Sequence, residues 1–222
     1  MDPLLNIALF GGLFLLTHLA LPHPPLRAAL VGRLGGGGYL GLYSLISFAT
    51  LIPLTVSWWG ARHQGPALWM LRGGPVGHAV ELIVLLGFGF MVGGTMRPAP
   101  ASIATQMQGL TVVAQGLTRV TRHPLMMGIS LWALGHLLVN GWLSDVLFFG
   151  TMLLTAILGA MHQDHRKAAA DPAYAAVVAE TSFFPNPLRL TSLDARSWGA
   201  LAIGVGVGLV LRVFHGTLFG GG

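Results

Sequence analysis

The chain has 222 residues, 54% of them hydrophobic and only 9% charged, with a mean hydropathy of +0.71; soluble domains carry about 25% charged residues, so a soluble globular fold is excluded. The formal net charge of +5 comes from arginines spread between apolar runs, which reads as membrane topology and speaks against nucleic acid as a partner. Cysteine is absent, which excludes disulfides, thiolate nucleophiles and Cys-ligated metals.

Spans need about 20 apolar residues each, and six are expected: 4–21, 39–58, 76–96, 124–141, 143–161 and 198–214. The fold class is therefore all-α, a polytopic membrane helix bundle forming a single domain over 1–222 in a lipid bilayer. The first run follows Asp2 without a basic n-region or cleavage site and is expected to be a retained helix. His18 lies near its end, and Gly11, seven residues earlier on nearly the same face, would let a flat macrocycle approach closely. The link 22-PHPPLRAALVGRLGGGG-38 runs from a proline stop to a four-glycine turn; it is a connector and lacks the spacing of a nucleotide loop.

The third span carries His78, with Glu81 at i+3 as a pairing partner. Gln106, Gln108 and Gln115 punctuate the link 97–123, which is expected to lie along the interface. Alternate links hold nine Lys and Arg residues (Arg27, Arg33, Arg97, Arg119, Arg122, Arg166, Lys167, Arg189, Arg196) against Arg62 and Arg72 opposite, with Arg212 snorkelling from the last span. This asymmetry places both termini outside and 119-RVTRHP-124 at the cytoplasmic surface.

Pro124 starts the fourth span, where its missing N–H costs nothing. Arg122 and His123 stand at the positive end of that helix dipole, a place that suits a carboxylate or propionate; the alternative is a basic interfacial anchor. Gly128, Trp132, His136 and Asn140 then follow at intervals of four on one face, with Gly135 adjoining. His136 lies roughly 18 Å into the helix, where an imidazole is either a metal or haem ligand or interhelical hydrogen-bonding glue. His18 and His136 form a bis-histidine set for haem iron, with His78, Met126 or Met127 as alternative axial ligands.

The group 162-HQDHR-166 offers His162, Asp164 and His165 as a divalent site or a solvated helix end. His23, His63 and His215 fall at span ends, where interfacial histidine needs no special account, and Trp58, Trp59, Trp69, Trp142 and Trp198 fit the aromatic belts. Asp2, Asp145, Asp171 and Asp194 take terminal or loop positions, so paired-carboxylate hydrolysis is not expected. Neither G-x-S-x-G nor H-E-x-x-H occurs. The two phenylalanines of 180-ETSFFPNP-187 suit an interfacial anchor. Glycines in 201-LAIGVGVGLV-210 would allow close packing, within one chain or in a homo-oligomer.

The segment 118-TRVTRHPLMMGISLWALGHLLVNG-141, with 163-QDHRK-167, 181-TSFFP-185 and 39-YLGLYSLIS-47, resembles the NnrU family of bacterial membrane proteins, which is similar to the plant and cyanobacterial 15-cis-ζ-carotene isomerase. The resemblance implies a multi-pass protein of the bacterial inner membrane with haem b held by His18 and His136. Reduction of the iron would free a coordination position for a polyene or, by the family's link with denitrification, for nitric oxide. It further implies Arg122 as a propionate partner and His123 as a residue at the mouth, with Trp132 lining the pocket and Asn140 beside the cofactor.

Isoprenylcysteine carboxyl methyltransferases share part of the pattern through R-H-P-x-Y-x-G, which holds S-adenosylmethionine. Here Met126 replaces the tyrosine, and Glu180 alone stands where an acidic pair is expected. A non-catalytic membrane subunit assisting a respiratory partner is the remaining alternative.

Overall fold

A computed structural model describes residues 2–71, 73–96, 99–100 and 113–219. The helices are α1 (Pro3–Ala20), α2 (Pro24–Gly60), α3 (Gly74–Met96), α4 (Pro124–Val139), α5 (Leu143–Ala170), α6 (Pro172–Glu180), α7 (Ala195–Val213) and a short α8 (His215–Phe219). Among the described residues there is no strand, only an isolated antiparallel bridge between Ala67 and Trp142. An apolar run in lipid must satisfy its own backbone hydrogen bonds, which a helix does within the segment.

Helices α1, α2, α3, α5 and α7 are long and apolar enough to cross a membrane, and α4, with 16 residues, is shorter. At about 1.5 Å per residue α4 measures roughly 24 Å, less than the roughly 30 Å hydrocarbon core. The all-α membrane bundle expected from hydropathy is thus present, with five full-length spans and one short one among the described residues.

Several boundaries differ from the hydropathy reading. The first link is helical from Pro24: the prolines occupy the first helical turn, where they are tolerated. The break falls at Gly35 alone, whose φ of 71° and ψ of 169° are essentially restricted to glycine. α5 continues to Ala170, nine residues past the expected end, because its charged last turns remain helical beyond the apolar window. The expected interfacial path of 97–123 falls largely on 97–98 and 101–112, outside the described residues, as do Gln106, Gln108, Arg97 and Arg72.

The chain forms two compact units, Met1–Gly77 with His136–Arg166, and His78–Gly135 with Lys167–Gly222. In the first, α1 and α5 run parallel. Leu4 and Leu143 meet at Gly65, Gly11 meets Thr151, and the His23 and His162 rings lie 6.0 Å apart and nearly parallel. α2 runs antiparallel to both: Tyr39 Oη donates to the Leu21 carbonyl, while Trp58 reaches Asp145 at the opposite end.

In the second unit α3 is antiparallel to α4, with Gly94 against Pro124 and Gly87 against Gly128 and Trp132. It is antiparallel to α7 as well, with Gly93 against Ala200, Gly204 against Phe88, and Glu81 Oε1 accepting from Arg212 Nε at 3.1 Å. Phe90, Leu117, Val120, Leu193 and Leu201 form the core of this unit.

Candidate functional site

Both intramembrane histidines singled out from the sequence belong to the first unit. His18 is half-buried on α1. Its Nδ1 lies 2.8 Å from the Phe14 carbonyl oxygen; a carbonyl can only accept, so Nδ1 carries the proton and Nε2 keeps its lone pair. A backbone carbonyl fixing the tautomer in this way is the usual outer-shell support of a ligating imidazole. Phe14 lies 4.0 Å from the ring and Tyr43 meets it edge-on at 5.3 Å.

His136, also half-buried, stacks its ring on Phe149 with centroids 4.6 Å apart and planes 20° from parallel. The register of α1 on α5 places His18 level with Leu158, about nine residues beyond Phe149, so the two histidines differ in depth by roughly 14 Å. His18 lies toward the end where His23 meets His162. His136 lies toward the end where Asp145 sits.

Gly11 has a different role from the one expected. A Cβ there would lie 2.6 Å from Thr151 Oγ1, so the missing side chain lets α1 and α5 touch and leaves no gap for a macrocycle. Gly11→Val is expected to destabilise the protein by about 1–3 kcal/mol, the usual cost of overpacking. Thr151→Ala in the same chain should recover part of that loss in thermal unfolding of the detergent-solubilised protein. One turn beyond Thr151, Thr155 Oγ1 is buried with no hydrogen-bond partner among the described residues. By helical periodicity it continues the α1-facing stripe, at a depth between the two histidines.

The other expected site residues divide between the units. Asn140 is half-buried just past α4 in the first; Arg122, His123 and Trp132 are in the second. His123 is 3% exposed and edge-on to Phe183 at 5.8 Å. Arg122 Nη1 donates to the Thr181 carbonyl at 2.8 Å, its backbone N–H donates to the Ser182 carbonyl, and its guanidinium lies over Phe183. The T-R-H-P motif therefore clasps the 181–183 segment, and Phe183 serves this clasp while Phe184 is 63% exposed. A charge-assisted hydrogen bond contributes about 1.5–3 kcal/mol, so Arg122→Ala should speed proteolytic cleavage within 181–186 severalfold.

His78 is exposed, and Glu81 bonds Arg212, not His78. Among the described residues no group of three or more His, Asp or Glu could hold a metal ion, so 162-HQDHR-166 assembles no divalent site there; it continues α5 as helix.

A second cluster in the first unit escaped the sequence reading. Asp145 is fully buried in the first turn of α5, with Oδ1 accepting from Trp58 Nε1 at 2.8 Å and Oδ2 from His63 Nδ1 at 2.6 Å. Trp58 lies flat on Phe148 at 4.2 Å and edge-on to Phe149 at 5.4 Å. The available signal was an acidic residue two positions inside an apolar span, which by default marks a functional position.

The NnrU protein family is matched over residues 6–221, and the chain belongs to that family. It is 28% identical over 139 residues to the chloroplastic 15-cis-zeta-carotene isomerase of Arabidopsis thaliana. The alignment covers 61% of this chain and 37% of that relative, so the chain spans little more than a third of the curated protein it matches. No solved structure matches the chain.

Proposed function

We propose that this NnrU-family protein is a haem b protein of the bacterial inner membrane, with His18 and His136 as axial ligands that haem binding must draw together across the roughly 14 Å of depth between them, acting in redox-gated cis–trans isomerisation of a lipophilic polyene. The observation that carries the reading is the state of His18: its Nδ1 proton is committed to the Phe14 carbonyl, which turns a neutral, ligand-competent Nε2 outward from α1. His136, on another helix of the same unit, supplies the second imidazole. Two imidazoles make a complete protein ligand set only where a macrocycle provides the remaining donors, as in haem.

When bound, haem iron would supply a redox-switchable coordination position able to draw electron density from a conjugated double bond and lower its torsional barrier. The chain's own residues do the holding. Phe14 fixes the His18 tautomer, Phe149 holds the plane of His136, and the apolar surroundings exclude water. The isomerase relative favours a polyene substrate; nitric oxide is the competing ligand to test beside it. The excess of Lys and Arg on alternate links supports a cytoplasmic 119-RVTRHP-124.

The test is the absorption spectrum of detergent-purified protein, oxidised and reduced, with a pyridine haemochrome assay. A Soret band that moves on reduction, with haem b close to equimolar with the chain, is expected. Colourless protein after haem supplementation during expression would overturn the reading and direct the next measurement to S-adenosylmethionine binding.

A further inference from the structure

We propose that Asp145 is a positioning residue for His136, acting through Trp58 and Phe149. A fully buried carboxylate is expensive to place away from water and persists only when its oxygens are well partnered. Asp145 meets the loop that precedes α3 at His63. The rest of that loop is held by other bonds: Gln64 N–H to Ser144 Oγ, Ser144 N–H to the Gln64 carbonyl, Leu143 N–H to the Pro66 carbonyl, Leu68 N–H to the Gly141 carbonyl, and Trp69 Nε1 to the Leu137 carbonyl. Both carboxylate oxygens are committed to ring N–H groups, the His63 imidazole and the Trp58 indole of α2.

That indole cannot turn without breaking its bond to Asp145. Its flat stack on Phe148 and edge contact with Phe149 close an aromatic box, since Phe148 and Phe149 themselves meet edge-on at 5.1 Å. One face of Phe149 carries the His136 ring. Anchor, indole, phenyl and imidazole thus form one chain of fixed planes, and the plane of an imidazole ligand is one of the levers by which a protein tunes its metal. His63, whose side chain is 45% exposed, holds the second oxygen and closes the chain at the surface. His18 stands at the other end of the unit, with its own support from Phe14 and Tyr43, and takes no part.

The consequence for the metal rests on the reading of His136 as an axial ligand; the positioning does not, and the experiment separates them. Full-length protein labelled with ¹⁵N-histidine is compared without haem, in detergent, as wild type, Asp145→Asn, Trp58→Phe and the double variant. Trp58→Phe keeps an aromatic face against Phe148 while removing the indole N–H together with part of the ring, so it serves if Asp145→Asn fails to fold.

Displaced His136 imidazole resonances with unmoved His18 resonances are expected, with the double variant no further displaced than Trp58→Phe alone. Unmoved His136 resonances, equal movement of both histidines, or additive displacement in the double variant would each overturn the proposal. In haem-loaded protein the same variants should shift the Soret band and the reduction potential. Absence of haem uptake would remove the ligand reading, and the resonances of the haem-free protein would still decide the positioning.

Discussion

Replacing His136 by alanine is expected to abolish the haem b absorption of the purified protein, whereas replacing His165 should leave it unchanged. Removing an outer-shell partner of a metal site typically costs 10–100-fold in affinity; removing an axial imidazole should exceed that, at about 100-fold or more. His165 is a fair control because it is exposed in the last turns of α5, so its loss changes surface charge and nothing in the unit's interior. His18→Ala should match His136→Ala in colour loss. Its own control is Phe14→Leu, which keeps the carbonyl that fixes the tautomer while removing the ring at 4.0 Å; a reduced but measurable haem content is expected there. Because His136 packs on Phe149, the alanine variant must also be shown to elute as folded protein. Retention of the full Soret band in folded His136→Ala would end the bis-histidine assignment.

A large loss of stability is expected from Gly128→Val. A Cβ at Gly128 would lie 2.5 Å from the Met91 backbone nitrogen and 2.6 Å from the Gly87 carbonyl oxygen, and one at Gly87 would lie 2.9 Å from the Gly128 carbonyl. Two helix backbones touch here through paired glycines, the small-residue packing common between membrane helices. Neither obstacle is a side chain that can swing aside, so α3 and α4 must separate. The cost should reach or pass the upper end of overpacking penalties, about 3 kcal/mol, a large share of the roughly 5–15 kcal/mol that holds most folds together. Gly12→Val is the matched control, because nothing lies within 4 Å of a Cβ there. Thermal unfolding in detergent should show a strong drop for Gly128→Val and little change for Gly12→Val; equal curves would show that the helices are not held at that spacing.

The glycines show how far residue type alone carries. Gly11 was legible as a small residue on the face of His18 that looked like room for a macrocycle, and Gly128 as a small residue on the face of His136. In the fold each is filled by a neighbouring helix: Thr151 against Gly11, and the α3 backbone against Gly128. A glycine announces close approach without naming what approaches. Arg122 and His123 were similarly legible as a basic cluster at a helix start, yet their partner, the 181–183 segment, lies about 60 residues further along the chain.

The sequence by itself determined the membrane class and the apolar cores of the spanning helices, because hydropathy and backbone hydrogen bonding act within a segment and are satisfied there. It also raised His18 and His136, since an imidazole in an apolar run is conspicuous wherever its partners lie. The role of Asp145 was decided only by tertiary structure. Its hydrogen-bond partners Trp58 and His63 are 87 and 82 residues away, and the same carboxylate would be an ordinary helix-start residue in water. Burial turns it into an anchor: where α2 folds back against α5, water is excluded, and two ring N–H groups are the partners of its oxygens among the described residues.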